Sequence, residues 1–182
     1  MRSLLPLVLL LVLAVPLVAQ LQAPGPDNSL KIGDMAPDFP IAAAPGQRGA
    51  QGTSLAQLAK EKNGVLIMFF PAAFSPGCTT EFTQAGVHYD KFTALGIEMV
   101  GISRDMTWSL EEFKKKVGAK NLFASDLEYS IIPKYGASNP NRGTLRYYYL
   151  VDKTGKIVWK DTSNRVLETE KLVADLATAL KK

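Results

Sequence analysis

Two apolar rhythms alternate through the middle of the chain. VLIMFF, Val65 to Phe70, is a continuous apolar run of strand length that stops at Pro71, the pattern of a strand covered on both faces. From Cys78 the rhythm becomes helical: Phe82, Ala85 or Gly86, Tyr89 and Phe92 recur at three- and four-residue steps until Gly96, which predicts one helix. IEMVGIS, Ile97 to Ser103, reads as a second buried strand. SLEEFKKKVGA predicts a helix capped by Ser109, with Glu111 and Glu112 in its first turn and Lys114 to Lys116 in its last, the charge order a helix dipole favours. NLFASD, Asn121 to Asp126, is a short strand, and IIPKYGA a small helical turn. RYYYLVD and KIVWKD, joined by the turn KTG, form a hairpin. VLETEKLVADLATALKK places Leu167, Leu172, Val173, Leu176 and Leu180 on one face of a closing amphipathic helix.

Upstream, LKIGDMAPDFPI carries two prolines that restrict it to an edge or hairpin. Ala42 to Gly52 is turn-rich, and Thr53 or Ser54 can cap the short helix SLAQLAKEK before Asn63-Gly64. Strands alternating with helices, then a hairpin and a final helix, imply an α/β fold with a mixed sheet covered on both sides. In open α/β sheets the reactive site lies beyond the carboxyl ends of strands, and Cys78 sits just there, after VLIMFF and in the first turn of the next helix.

The 182 residues suit one domain and a short extension. Leu4 to Val18 is a run of 15 apolar positions behind Arg2, and Gln20 and Gln22 end it short of the ~20 residues a spanning helix needs. The expectation is a signal peptide over 1–23, cleaved near 19 or 23, a linker over 24–29 and a globular domain over 30–182. The product would be exported, periplasmic or secreted, with no membrane contact after cleavage; an uncleaved N-terminal anchor is the alternative. A formal charge of +4 is spread along the chain apart from Lys114 to Lys116 and the terminal lysines, which gives no clustered basic face and no nucleic-acid partner.

With one cysteine, no internal disulfide is available: the thiol is packing material or a usable nucleophile. The thiolate is the attacking species, and a thiol of ordinary pKa near 8.5 is only about 3% ionised at pH 7. A helix N-terminus offers partial positive charge and N–H groups without helical partners, which favour the anion. Pro76 and Gly77 let the backbone turn tightly toward the sulfur, and Ser75 stands three residues before it.

PAAFSPGC, Pro71 to Cys78, resembles the peroxiredoxin active-site signature Pro-x-x-x-Thr/Ser-x-x-Cys. KIGDMAPDF, VLIMFFP, GIEMVGISRD, NLFASD and RYYYLVDKTGKIVW resemble further segments of that family in the same order, across Leu30 to Lys160. Cys78, Thr79, Thr80 and Glu81 are similar to the Cys-Thr-x-Glu of the bacterioferritin-comigratory, or Q-type, subgroup. The resemblance implies a thioredoxin-like fold with a mixed central sheet flanked by helices and an N-terminal β-hairpin extension. It implies a thiol-dependent peroxidase with no cofactor, acting on hydrogen peroxide or organic hydroperoxides through a sulfenic acid. Cys78 would be the peroxidatic nucleophile, Ser75 would hydrogen-bond the peroxide, and Pro71 would shield the sulfur from bulk water. Arg146 matches the family's arginine, six residues before the Asp of LVDKTG, with Arg142 its competitor. Glu81 would orient that arginine.

Each residue also has a plainer reading: Ser75 as a helix cap, Arg146 as an edge-strand surface residue, and Glu81 as a first-turn acid. Tyr147 to Tyr149, where the family often shows Thr-Phe, read as sheet packing. His88, the one histidine, reads as a surface residue, and no second His or Cys accompanies it to make a metal site. The resolving cysteine that many Q-type members carry five residues after the first is here Thr83. The implied cycle is therefore one-cysteine, with the sulfenic acid reduced by an external thiol, either a thioredoxin-like protein or a small thiol, in a monomer or homodimer. The rival function is a thioredoxin-like sensing or binding module that forms mixed disulfides without efficient turnover.

Overall fold

The computed structural model describes residues 27–42, 52–141 and 143–181. The expected signal peptide, the first part of the linker and Arg142 lie outside them.

The strand VLIMFF is found as β3 (Gly64–Phe69), with every residue buried. It occupies the middle of a five-stranded sheet with β4 (Ile97–Ser103), β5 (Leu122–Ser125), β6 (Tyr148–Asp152) and β7 (Ile157–Asp161), in the order β5-β4-β3-β6-β7. β3 pairs in parallel with β4, and β4 in parallel with β5; β6 runs antiparallel to both β3 and β7. The sheet is thus mixed. Alternation along β3 sorts its side chains into two cores. Leu66 and Met68 join Tyr148 and Leu150 on one face, and Val65, Ile67 and Phe69 join Tyr149 and Val151 on the other.

The first face is covered by α2 (Pro76–Val87), α4 (Thr107–Val117) and α5 (Thr169–Ala179), which bury Phe82, Phe113, Leu172 and Leu176 there. The other is covered by α1 (Leu55–Glu61), whose Leu55 and Leu58 are buried, and by a 3-10 turn at Ile132–Tyr135. Ser54 caps α1 by accepting from the Gln57 N–H. β1 (Pro40–Ile41) and β2 (Thr53–Ser54) pair antiparallel as the separate N-terminal hairpin. The segment before it docks on the β6–β7 turn, with Gly33 and Ala36 N–H donating to the carbonyls of Ile157 and Gly155 at 2.8 and 2.9 Å.

Two local expectations are corrected. The helix anticipated from Cys78 to Gly96 is two, because His88, at φ −98° and ψ 11°, ends α2 and begins α3 (Tyr89–Ala94). The three- and four-residue apolar spacing carries across the break, so periodicity could not reveal it; beyond the break Phe92 is fully buried. Ser109 is not a cap either. α4 begins at Thr107 behind Met106, which makes no side-chain cap bond.

Five phenylalanines meet at α2: Phe70 and Phe74 from the β3–α2 connection, Phe82 from α2, Phe113 from α4 and Phe123 from β5. Phe82 lies 4.8 Å from Phe70, 5.8 Å from Phe113 and 4.9 Å from Phe123, ring centre to ring centre, and Phe74 lies 5.4 Å from Phe113. These four crossings are edge-on or tilted, an arrangement aromatic quadrupoles prefer, worth about 0.5–1.5 kcal/mol per pair beyond area burial. Gly101 lets this cluster reach β4, since a Cβ there would stand 2.7 Å from Phe123 and 2.9 Å from Phe82.

Candidate active site

The site begins where β3 runs out. Phe69 and Phe70 N–H still donate to sheet carbonyls, of Tyr147 at 2.8 Å and Ile102 at 3.0 Å, and Pro71 then has no N–H to continue the ladder. Pro71 is exposed at the strand end. Phe74 has φ 63°, in the left-handed region that a bulky L-residue rarely adopts, and its neighbours hold it there. Ser75 is the N-cap of α2 by position, yet its hydroxyl makes no cap bond; it donates instead to the Ala72 carbonyl at 3.0 Å. The plain reading of Ser75 as a side-chain helix cap therefore does not hold. Pro76 takes the first helical position, where a missing N–H costs nothing.

Cys78 lies in the first turn of α2 with 0% of its surface exposed. Arg146, two residues before β6, brings its fork to the sulfur: Nη2 is 3.1 Å from Cys78 Sγ, and Nε donates to Glu81 Oε2 at 2.8 Å. One planar cation thus bridges the thiol and a carboxylate one helical turn further on, the geometry a guanidinium suits and an ammonium does not.

Glu81 is only 5% exposed and has a second partner, because the Tyr148 hydroxyl donates to Oε1 at 2.5 Å. Burial pushes the Glu81 carboxyl above its ordinary value, and the bonds from Tyr148 and Arg146 offset that only in part. Arg146 is pushed further up: burial opposes its charge, but the bond to Glu81, that carboxylate's charge and the charge of Cys78 outweigh it. Burial and the facing Glu81 charge hold the Tyr148 phenol far above its usual range, so it stays a donor. The void behind Glu81, lined by Met68, Phe92, Tyr148 and Leu172, is about 10 Å³ and has room for at most one water.

Cys78, Ser75, Arg146 and Glu81 are therefore gathered at one strand end as the sequence implied, with Pro71 seven residues before the thiol on the exposed rim. Three contributors were missed. Tyr148 read as sheet packing. Asn164, at φ 59° in the loop after β7, accepts from the Arg146 N–H at 2.7 Å and fixes the backbone from which the guanidinium extends. Asp105, just beyond β4, accepts from the Ala73 N–H at 2.8 Å. No local pattern marks any of them, because each partner is at least 18 residues away. His88 is half-buried at the α2–α3 junction, away from this group in the sequence and bonded to none of it through its side chain.

A thiol at a helix start beyond a central strand, held by a half-buried arginine paired with a buried carboxylate, defines a thiol-based redox enzyme on a thioredoxin-like frame. The AhpC/TSA family profile matches residues 32–160. Peroxiredoxin Bcp of Escherichia coli is 30% identical over 137 residues, 71% of this chain and 84% of the relative. Peroxiredoxin bcp1 of Schizosaccharomyces pombe is 31% identical over 137 residues, 74% and 68% of the two chains. The crystal structure of peroxidoxin BcpB from Mycobacterium tuberculosis superposes with a TM-score of 0.70 at 23% identity, covering 84% of this chain and 97% of that one. The chain belongs to the AhpC/TSA family, the peroxiredoxins, which are thiol-dependent peroxidases, and with Cys78 alone it is a one-cysteine member.

Proposed function

We propose that the protein reduces hydrogen peroxide or organic hydroperoxides through a sulfenic acid at Cys78 that an external thiol resolves. The observation that carries this is the 3.1 Å contact from Arg146 Nη2 to Cys78 Sγ, with the same guanidinium anchored on buried Glu81. A cation so held lies beside the sulfur and beside the place where negative charge develops on the departing oxygen. The thiolate attacks the terminal oxygen of the peroxide; the S–O bond forms, the O–O bond breaks, and the alkoxide or hydroxide leaves and takes a proton. Because Ser75 gives its proton to the Ala72 carbonyl, its oxygen is left to accept, which suits it to a peroxide O–H. Glu81 holds Arg146 rather than moving protons, since both of its oxygens are already engaged.

The Cys78 sulfenic acid is then attacked by a thiolate from a thioredoxin-like protein or a small thiol. Water leaves, a mixed disulfide forms, and a second thiol releases Cys78. With Thr83 half-buried on α2 and no other cysteine in the chain, the second sulfur comes from outside. Residues 1–23 serve as a signal peptide in this reading, which places the reaction in the periplasm or outside the cell, and reductants of that compartment are its partners.

Stopped-flow mixing with one equivalent of hydrogen peroxide tests the reading. Loss of the thiol orders of magnitude faster than for free cysteine, with a sulfenic acid trapped by dimedone, is expected. Oxidation at the rate of free cysteine refutes the peroxidase and leaves the mixed-disulfide module.

A further inference from the structure

We propose that Asp105 is a positioning residue for peroxide, acting on Ser75 through a single peptide group. This rests on the peroxidase reading above. The peptide joining Ala72 to Ala73 is gripped from both sides. Its carbonyl accepts from Ser75 Oγ at 3.0 Å, and its N–H donates to Asp105 Oδ2 at 2.8 Å. Asp105 itself is braced on the sheet. Ser103, the last residue of β4 and fully buried, donates its hydroxyl to the same Oδ2 at 2.7 Å and accepts from the Asp105 N–H at 3.2 Å. The path therefore runs from the end of β4 through a carboxylate and one peptide plane to the hydroxyl of Ser75, three residues before the thiol.

Three features give this path its meaning. The turn from Pro71 to Phe74 follows the last ladder bond of Phe70, and the Asp105 bond spans 32 residues to tie that turn to the next strand. Phe74 then sits at φ 63°, so the turn takes a conformation it would not choose unaided. Finally, the orientation of the Ala72–Ala73 plane decides where the Ser75 proton goes. With the carbonyl aimed at Ser75, the hydroxyl proton is committed and its lone pairs face outward as acceptors. If the plane rotates, Ser75 becomes a rotor that can donate or accept, and the peroxide loses a fixed partner.

The side chains at positions 72 and 73 take no part, since both contacts are made by backbone. Asp105 reaches neither the sulfur nor Arg146 in any hydrogen bond of the site; its lever is the plane alone. The amide of an asparagine could accept from both Ala73 N–H and Ser103 Oγ, as Oδ2 does now, whereas alanine could accept from neither.

The test is a double-mutant cycle on the full chain, reading the second-order rate constant of Cys78 oxidation by hydrogen peroxide. Asp105→Ala is expected to slow oxidation about 10-fold, near the low end for one lost hydrogen bond to a charged group. Asp105→Asn is expected to stay within about 3-fold of the parent. In a Ser75→Ala background, adding Asp105→Ala should cost less than about 2-fold more, because the path ends at Ser75. Alkylation of Cys78 by iodoacetamide, which needs no hydroxyl at Ser75, should be unchanged by Asp105→Ala. Ser103→Ala gives a second route into the cycle, with a smaller loss that also vanishes in the Ser75→Ala background, so a poorly folding Asp105→Ala leaves the question answerable. Fully additive losses, or Asp105→Asn as slow as Asp105→Ala, overturn the role of Asp105. A slow parent protein would instead sink the peroxidase reading itself.

Discussion

Tyr148→Phe removes one oxygen from the buried centre of the site and leaves the ring in place. The bond it deletes, 2.5 Å from a phenol that is 1% exposed to a carboxylate that is 5% exposed, is charge-assisted and is worth roughly 1.5–3 kcal/mol. For a domain of this size about 2–4 °C of melting temperature accompanies each kcal/mol, so Tyr148→Phe should melt about 3–12 °C lower at neutral pH. The pH dependence carries the sharper test. Burial holds the Glu81 carboxyl above about 4.5 in the folded state. Its contribution to stability is therefore fully present below about 4.5, and is lost as pH rises through the raised folded value. The Tyr148 hydroxyl counters that loss, so deleting it raises the carboxyl further and lets more stability drain away over the same climb. Melts from pH 4 to pH 8 should show a small gap between parent and variant at the acid end and the full gap at the neutral end. The acid limb of peroxide oxidation should also move to higher pH, since a protonated Glu81 holds Arg146 less firmly. A melting gap that is the same at every pH would refute the claim that Tyr148 supports an ionised Glu81.

Arg146→Lys keeps the charge but cannot span Glu81 and Cys78 together, and should slow peroxide oxidation about 10²–10³-fold in stopped flow, with Arg146→Ala at least as slow and Arg142→Ala unchanged. Gly101→Ala drives a methyl to within 2.7 Å of Phe123 and 2.9 Å of Phe82, and should cost about 1–3 kcal/mol in urea unfolding. Asp126→Ala removes the acceptor of the Ser130, Ile131 and Ile132 N–H groups that opens the 3-10 turn, at 2.7, 2.9 and 2.8 Å, and should cost about 2–5 kcal/mol by the same measurement while leaving peroxide kinetics within about 3-fold.

How far the sequence can be read depends on how local the cause is. β3 is legible because a strand covered on both faces needs an unbroken apolar run, and VLIMFF supplies one. Cys78 is legible for the same reason, since the run ends at a proline and a helix starts behind Ser75. Arg146 was reachable only by counting back from Asp152 in a family pattern, because nothing in RYYYLVD itself says that an arginine before β6 lies over α2. Tyr148 shows the limit most clearly. Alternation along β6 predicts that it faces one side of the sheet, but not that α2 presents Glu81 there, a partner 67 residues away. The break at His88 was hidden because two short helices kept the spacing of one long one. Ser109 misled because the acidic and basic residues of α4 have the right order while the helix starts three residues earlier, behind a residue with no capping oxygen, which leaves Glu111 and Glu112 beyond its first turn.

The complete burial of Cys78 also sets a timetable for the catalytic cycle. A sulfur with no exposed surface, on a helix whose Phe82 is locked among three other rings, meets its two reactants on unequal terms. A peroxide is two oxygens wide at its reacting end and needs only a small breathing motion to arrive. In the proposed cycle, a reducing thiol carried on a protein would reach the sulfur only once the first turn of α2 opens, once per turnover. With such a reductant the steady-state rate should therefore level off as the reductant is raised, at the frequency with which that turn opens. Loosening the ring cluster should lift the plateau while leaving the first, oxidative step as fast as before.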